Sequence, residues 1–265
     1  MSTTRPLALI TGASSGIGEA LVHCFASAGY DIALVARSAG KLRELANTVK
    51  TQYGVQALVM AADLSEPGAA GLLAATLAGR NRAPDVLVNC AGVLEQQVFA
   101  AMPTQSHQSI IDLNISALTA MLAHFLPPMV ARGSGRVLNV ASVAAFQPIP
   151  MLATYAASKA YVLSLSESLS EELKPSGITV TALCPGITAT HMLTSAAQAN
   201  QQLRKLPGFL VGDVAEVARQ GFEACMKGDA ICVPGAVNQA AMLASRSAPK
   251  WLVRRIGGLV ARKTQ

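Results

Sequence analysis

Short runs of apolar residues alternate with longer stretches in which apolar positions recur at helical spacing. The runs cover residues 7–10, 32–36, 57–61, 86–88, 137–140, 179–183 and 231–233. Uninterrupted apolar runs of this length suit strands covered on both faces, as in a parallel sheet. The amphipathic stretches are 17–28, 41–53, 107–131, 156–173 and 214–226. Such regular alternation implies right-handed crossovers, hence an α/β fold: a doubly wound parallel sheet of about seven strands flanked by helices. No repeat, low-complexity segment or linker divides residues 1–265, so one domain is expected. Pro127-Pro128 and Gly133-Ser134-Gly135 read as punctuation at a helix end. Segment 194–212 is polar and then rich in Leu, Pro and Gly, and is expected to be a mobile connection beside a binding cleft.

Composition adds several exclusions. With 51% hydrophobic and 14% charged residues, the chain can bury a large core and is not disordered. No apolar run reaches the ~18 residues a membrane span needs, and residues 1–6 lack the basic start of a secretion signal. Five cysteines (Cys24, Cys90, Cys184, Cys225, Cys232) form no C-x-x-C pair, so reduced thiols in a cytoplasmic protein are expected. The net charge of +6 suggests anionic partners, yet much of it lies in the last sixteen residues. Only 4% of residues are aromatic, and no basic face interleaved with aromatics supports nucleic-acid binding. His23, His107, His124 and His191 show no ligand spacing and no carboxylate pair accompanies them, so no catalytic metal is expected. His191 lies near the expected substrate opening; it touches substrate there or is simply a surface histidine.

The first strand runs into Thr11-Gly12-Ala13-Ser14-Ser15-Gly16-Ile17-Gly18 and then a helix. Glycines there permit a tight turn and let a pyrophosphate approach the peptide N–H groups of a helix N-terminus. The spacing G-x-x-x-G-x-G is not the general dinucleotide fingerprint, although strand, turn and helix are the context that fingerprint requires. An ordinary glycine-rich turn is the competing reading. At the end of the second strand Ala36 stands where a carboxylate would read a free ribose 2′-hydroxyl, and Arg37 follows. A guanidinium–phosphate pair is worth roughly 1.5–3 kcal/mol, enough to favour NADP(H); the alternative is a surface arginine at a helix start. Asp63-Leu64 ends the third strand, where the acid either accepts from an adenine amino group or caps a helix. Asn89-Cys90-Ala91-Gly92 ends the fourth, where small residues let a flat cofactor pass closely. A tight turn, with Asn89 tying two strands together, is the plainer alternative.

Tyr155 and Lys159 stand four apart in a stretch of helical period and so share a face. A free tyrosine titrates near pH ~10. A cation one turn away favours the phenolate and lowers that pKa toward working pH. The phenol then becomes a proton donor or acceptor for an alcohol or carbonyl oxygen. Y-x-x-x-K alone is common by chance, and a solvated helix face is the plainer alternative.

In this order the segments resemble the short-chain dehydrogenase/reductase family, from Leu7 to about Val233. T-G-x-x-x-G-x-G matches Thr11 to Gly18, D-[LV] matches Asp63-Leu64, and P-G-x-x-x-T matches Pro185 to Thr190. N-N-A-G matches Asn89 to Gly92, with Cys90 as a departure. The family's asparagine, serine and Y-x-x-x-K fall on Asn114, Ser142, Tyr155 and Lys159. Arg37, without a basic residue just before Gly16, resembles an NADP-preferring branch.

The resemblance implies a Rossmann-type domain and NADP(H)-dependent interconversion of a carbonyl and an alcohol. Tyr155 would pass the proton, Ser142 would hold the substrate oxygen, and Lys159 would lower the tyrosine pKa and bind ribose hydroxyls. Asn114 would fix a water joining Lys159 to solvent. The cofactor would lie against Gly12, Ser14, Ser15, Gly16, Ile17, Gly18, Arg37, Asp63, Leu64, Asn89, Ala91, Gly92, Tyr155, Lys159, Pro185, Gly186, Thr188 and Thr190. A homodimer or homotetramer through helices 107–131 and 156–173 follows by analogy. Residues 143–152 are apolar, which points to an apolar ketone or aldehyde. The basic, apolar tail 250–265 either packs on protein, the preferred reading, or lies on an anionic membrane surface. A non-catalytic NADPH-binding regulatory protein of the same fold is the alternative to an enzyme.

Overall fold

The computed structural model describes residues 5–188 and 211–247. Seven parallel strands form one sheet: β1 (Leu7–Thr11), β2 (Asp31–Ala36), β3 (Ala57–Ala61), β4 (Val86–Asn89), β5 (Gly135–Val140), β6 (Ile178–Leu183) and β7 (Ile231–Cys232). Their order is β3-β2-β1-β4-β5-β6-β7, so the winding reverses between β1 and β4 and opens a crevice beyond the strands' carboxyl ends.

Both faces of the sheet are covered, which is why its strands read as unbroken apolar runs. Leu7 and Leu9 enter one core, while Ala8 and Ile10 enter the other. This is the two-residue period of a strand expressed in burial. One core lies under α1 (Gly16–Ser27) and α2 (Ala39–Tyr53), with Leu21, Phe25, Leu42 and Val49 buried in it. The other lies under α3 (Ala69–Ala78), α5 (Leu118–Arg132) and α6 (Ala153–Glu172), with α4 (Thr104–Ile111) packed against α6. A further helix, α7 (Val214–Lys227), packs beside α1, and α8 (Ala236–Ser247) follows β7.

Helix α5 runs straight through Pro127-Pro128 and ends at Gly133, so the prolines do not mark its end. Both prolines are exposed, while Phe125 and Met129 are buried. Carbonyls freed by the missing N–H groups therefore face water, and the buried apolar stripe keeps the helix on the sheet. Together α4, a π-helical turn at Asp112–Ala117, and α5 form one stretch, Thr104–Arg132, with a mean hydropathy of 1.5 over its most apolar window. It is long and apolar enough to cross a bilayer, although polar residues interrupt it and no unbroken apolar run reaches that length. Here it packs on α3, α6 and β4, burying Ile110, Leu118, Met121, Leu122, Phe125 and Met129.

Beyond β6 the chain pairs Thr188 with Gly212 in an isolated parallel bridge. The expectations for residues 194–210, for Thr190 and His191, and for the tail 250–265 lie outside the described residues.

Candidate active site

The β1–α1 turn is pressed against the end of β4. A Cβ on Gly12, whose φ is +67°, would lie 2.9 Å from the Ala91 nitrogen; one on Gly18 would lie 2.2 Å from the Gly12 oxygen. Only hydrogen fits at either position. The Thr11 hydroxyl accepts from the Cys90 and Ala91 N–H groups at 2.9 and 3.0 Å and donates to the Val88 carbonyl at 3.2 Å. No side chain caps the N-terminus of α1. Its first peptide N–H groups, carrying the positive end of the helix dipole, are therefore available to an anion.

A cleft of about 740 Å³ runs along the strand ends, within the ~300–1,000 Å³ of cofactor and ligand sites. It brings together Gly12, Ser14, Ser15, Gly16, Ile17, Gly18, Arg37, Asp63, Leu64, Ala91, Gly92, Ser142, Tyr155, Lys159, Pro185, Gly186 and Thr188. Asn89 is not among them. Its buried amide donates to Asn139 Oδ1 at 2.9 Å, and Asn139 in turn donates to Ser166 at 2.9 Å. Asn89 is thus a tie between β4 and β5, not a cofactor contact.

At one end of the cleft Arg37, Ser38 and Lys41 face Asp63. The Arg37 guanidinium is 3.9 Å from Asp63 Oδ2. Asp63 Oδ1 accepts from the Ser65 N–H at 3.0 Å and the Ser65 hydroxyl at 2.6 Å. Those two bonds, more than Arg37, hold the Asp63 carboxyl below its usual range. Asp63 therefore both closes its own turn and lines the cleft. Lys41, one turn into α2, was missed from sequence; its place on the cleft-facing side of an exposed helix start was the available signal.

Ser142, Tyr155 and Lys159 meet at the other end. Ser142 accepts from the Ala144 N–H at 3.1 Å, capping the short 3₁₀ turn Val143–Phe146, and its hydroxyl hydrogen-bonds Tyr155. Tyr155 and Lys159 are 8% and 6% exposed. Burial pushes the Tyr155 phenol up, opposed by the Ser142 hydrogen bond. Burial pulls Lys159 down to about 8, opposed by the nearby Cys90 and Cys184 thiols. Lys159 does not acidify Tyr155 in this arrangement, contrary to what their spacing implies. Its ammonium donates to the Val140 carbonyl at 2.8 Å and stands 5.8 Å from the centre of the phenol ring. Lost hydration dominates both groups.

Asn114 sits in the π-helical turn and is 1% exposed. Its Oδ1 accepts from the Val93 N–H at 2.9 Å; its Nδ2 donates to the Val93 carbonyl and Ser158 Oγ, both at 3.0 Å. It lies behind the cleft wall and not on it. A Cβ on Gly92 would fall 3.1 Å from Asn114 Oδ1 and 3.5 Å from Lys159 Nζ, so the amide and the ammonium flank the same glycine.

Sheet and cleft together define a dinucleotide-binding α/β protein. A sequence model of the family described as short chain dehydrogenase matches residues 6–201. A short chain dehydrogenase of Pseudocercospora fijiensis is 36% identical over 187 residues, covering 70% of this chain; the chain spans 60% of that protein's length. The 2-(R)-hydroxypropyl-CoM dehydrogenase of Xanthobacter autotrophicus is 32% identical over 219 residues, covering 80% of this chain and 88% of the relative. Among solved structures, a short-chain dehydrogenase from Sphingobium yanoikuyae in complex with NADPH superposes with a TM-score of 0.81, at 33% identity, over 91% of this chain and 93% of that one. The chain belongs to the short-chain dehydrogenase/reductase family. Its residues fit a nicotinamide dinucleotide. The turn admits no Cβ, the α1 N-terminus is free for a diphosphate, and the Ala91-Gly92 wall is low.

Proposed function

We propose that this protein is an NADP(H)-dependent oxidoreductase that interconverts a carbonyl and an alcohol on an apolar ketone or aldehyde. One observation carries the reading. Ser142, Tyr155 and Lys159 converge at one end of a cleft whose other end presents Arg37 and Lys41. Two cations and no carboxylate at the Ala36 position suit a 2′-phosphate, and a related structure holds NADPH.

When bound, the cofactor supplies or accepts the hydride. Tyr155, hydrogen-bonded to Ser142, donates its proton to the carbonyl oxygen in reduction and takes it back in oxidation. Ser142 holds that oxygen. Lys159 binds the ribose hydroxyls. Asn114 fixes the Val93 backbone and, beside Lys159 across Gly92, holds the water of a proton relay. Leu94, Val143, Ile149, Leu152 and Ile187 make the substrate side apolar, which disfavours a small dicarboxylate or phosphosugar. A cytoplasmic homo-oligomer joined through α4–α5 and α6 belongs to the same reading, and Ile111, Val130 and Tyr161 are exposed there.

The test follows NADPH absorbance with a panel of ketones and aldehydes of graded size. Carbonyl-dependent oxidation is expected, strongest with apolar ketones. None with any member, despite NADPH binding, would favour the regulatory alternative.

A further inference from the structure

The loop between β4 and α4 forms one wall of the substrate end. Leu94 packs with Ile149 against Ala144, Tyr155 and Ala156. Leu94 and Gln96 line the cleft. The Gln97 N–H donates to the Met151 carbonyl at 3.0 Å, joining this loop to the segment that leads into α6. Met151 has φ +67°, a left-handed conformation that costs a non-glycine residue energy and that neighbouring contacts must hold.

The far half of the loop returns to His107. His107 Nδ1 is 2.7 Å from the Thr154 hydroxyl, and Nε2 is 3.2 Å from the Phe99 carbonyl. The imidazole also lies on the Phe99 ring, with centroids 4.3 Å apart. A carbonyl only accepts, so Nε2 carries the proton and Nδ1 accepts from Thr154. One neutral tautomer satisfies both bonds. Thr154 directly precedes Tyr155 in the first turn of α6. None of His107, Thr154 and Phe99 lines the cleft.

We propose that His107 is a positioning residue that brackets the 94–102 loop to the first turn of α6. It thereby sets the distance between the Leu94–Gln96 wall and the Tyr155 phenol. His107 touches neither cofactor nor reacting atoms; it selects substrate by keeping that wall in place. Its catalytic consequence rests on the carbonyl chemistry proposed above, whereas its mechanical consequence does not.

Two readouts on the full-length protein with saturating NADPH separate them. His107→Phe keeps a ring against Phe99 and removes both hydrogen bonds, and Thr154→Val removes one of them from the other side. Amide hydrogen exchange across residues 97–102 is expected to accelerate about tenfold in both variants, with β1 and β4 unchanged, as loss of one or two hydrogen bonds requires. KM for a bulky apolar ketone should rise about tenfold, with kcat and NADPH affinity within about twofold of wild type. His107→Asn, whose amide reaches the place of Nδ1 alone, should recover part of the KM. The double variant should be less impaired than the sum of its parts, since both changes break the same bond. Unaltered exchange in both variants overturns the bracket, whether or not any carbonyl is reduced. Accelerated exchange with unaltered KM overturns its role in substrate selection, and so does an equal loss of NADPH affinity. A wild-type protein that reduces no carbonyl contradicts the proposed reaction, and the exchange result then still decides the bracket.

Discussion

Lys159 Nζ stands 5.8 Å from the centre of the Tyr155 ring, yet its hydrogen bond goes to the Val140 carbonyl at 2.8 Å. Both side chains are buried, and burial moves both pKa values toward the neutral form. The pair is therefore held in a conformation that opposes its own charging. Such conflicts between stability and local chemistry concentrate at functional sites.

A stability prediction follows for Lys159→Met. The folded-state pKa of Lys159, about 8, lies below its ordinary 10.5. Below pH 8 the folded protein carries a buried charge that destabilises it. Between pH 8 and 10.5 the unfolded chain binds the extra proton, so wild-type stability rises with pH relative to the variant. Lys159→Met should raise Tm at pH 7 by roughly 5 °C while abolishing turnover. That advantage should shrink as pH rises through 8 toward 10. Thermal melts at pH 7 and 9.5 check it, and a variant less stable at pH 7 would refute it.

Arg37 and Lys41 both line the end of the cleft beside Asp63. Arg37→Ala and Lys41→Ala should each weaken NADPH binding by roughly tenfold and leave NADH binding within about twofold, because only one ligand carries the 2′-phosphate. The contrast should weaken in high salt, since Arg37 is 77% exposed at its side chain. Titration calorimetry with both dinucleotides reads this directly. Equal wild-type affinities would remove the role assigned to Arg37.

Two glycines should respond oppositely to the same change. At Gly18 an added Cβ would lie 2.2 Å from the Gly12 carbonyl oxygen, whereas nothing lies within 4 Å of one at Gly40 in the first turn of α2. Gly18→Ala should weaken NADPH binding more than about tenfold and lower Tm. Gly40→Ala should bind normally and be neutral or more stable, by up to about 1 kcal/mol. Melting curves and NADPH titrations of the two variants give the comparison.

Asn114→Ala removes one buried and two part-buried hydrogen bonds and leaves Val93 and Ser158 without them. The expected loss is about 2–4 kcal/mol, seen as a Tm drop of roughly 5–10 °C. Asn114→Asp, which keeps the acceptor for the Val93 N–H and loses the amide donor, should fall between. A melt indistinguishable from wild type would show that the amide does not hold this wall.

Much of this architecture is legible in the chain because a doubly covered sheet leaves an unmistakable pattern. Each strand lies within two residues at its start, and one at its end, of its apolar run, and the order of motifs around Gly12, Asp63, Tyr155 and Pro185 locates the cleft. Other features carry no such mark. Helix α3 is apolar on all sides, so it has no polar face to betray its period. Pro127-Pro128 reads as punctuation near the end of the 107–131 stretch, whereas Phe125 and Met129 keep the helix on the sheet through tertiary packing as far as Arg132. The π turn at Asn114 is a change of hydrogen-bond register, which side-chain pattern does not encode. Asn89 was assigned to the cofactor from its motif, yet its register opposite Asn139 turns it into a tie between strands. The acidity of Tyr155 could not be judged from spacing, because it is set by burial, which sequence does not show, against the Ser142 hydrogen bond.

The most direct test of the whole account is Tyr155→Phe, which deletes one hydroxyl in a buried site and leaves the ring in place. NADPH affinity should stay within about threefold of wild type, while turnover with an apolar ketone falls by roughly 10²–10⁴-fold. A Tyr155→Phe protein that binds NADPH and still reduces the ketone at the wild-type rate would contradict the claim that this phenol carries the proton.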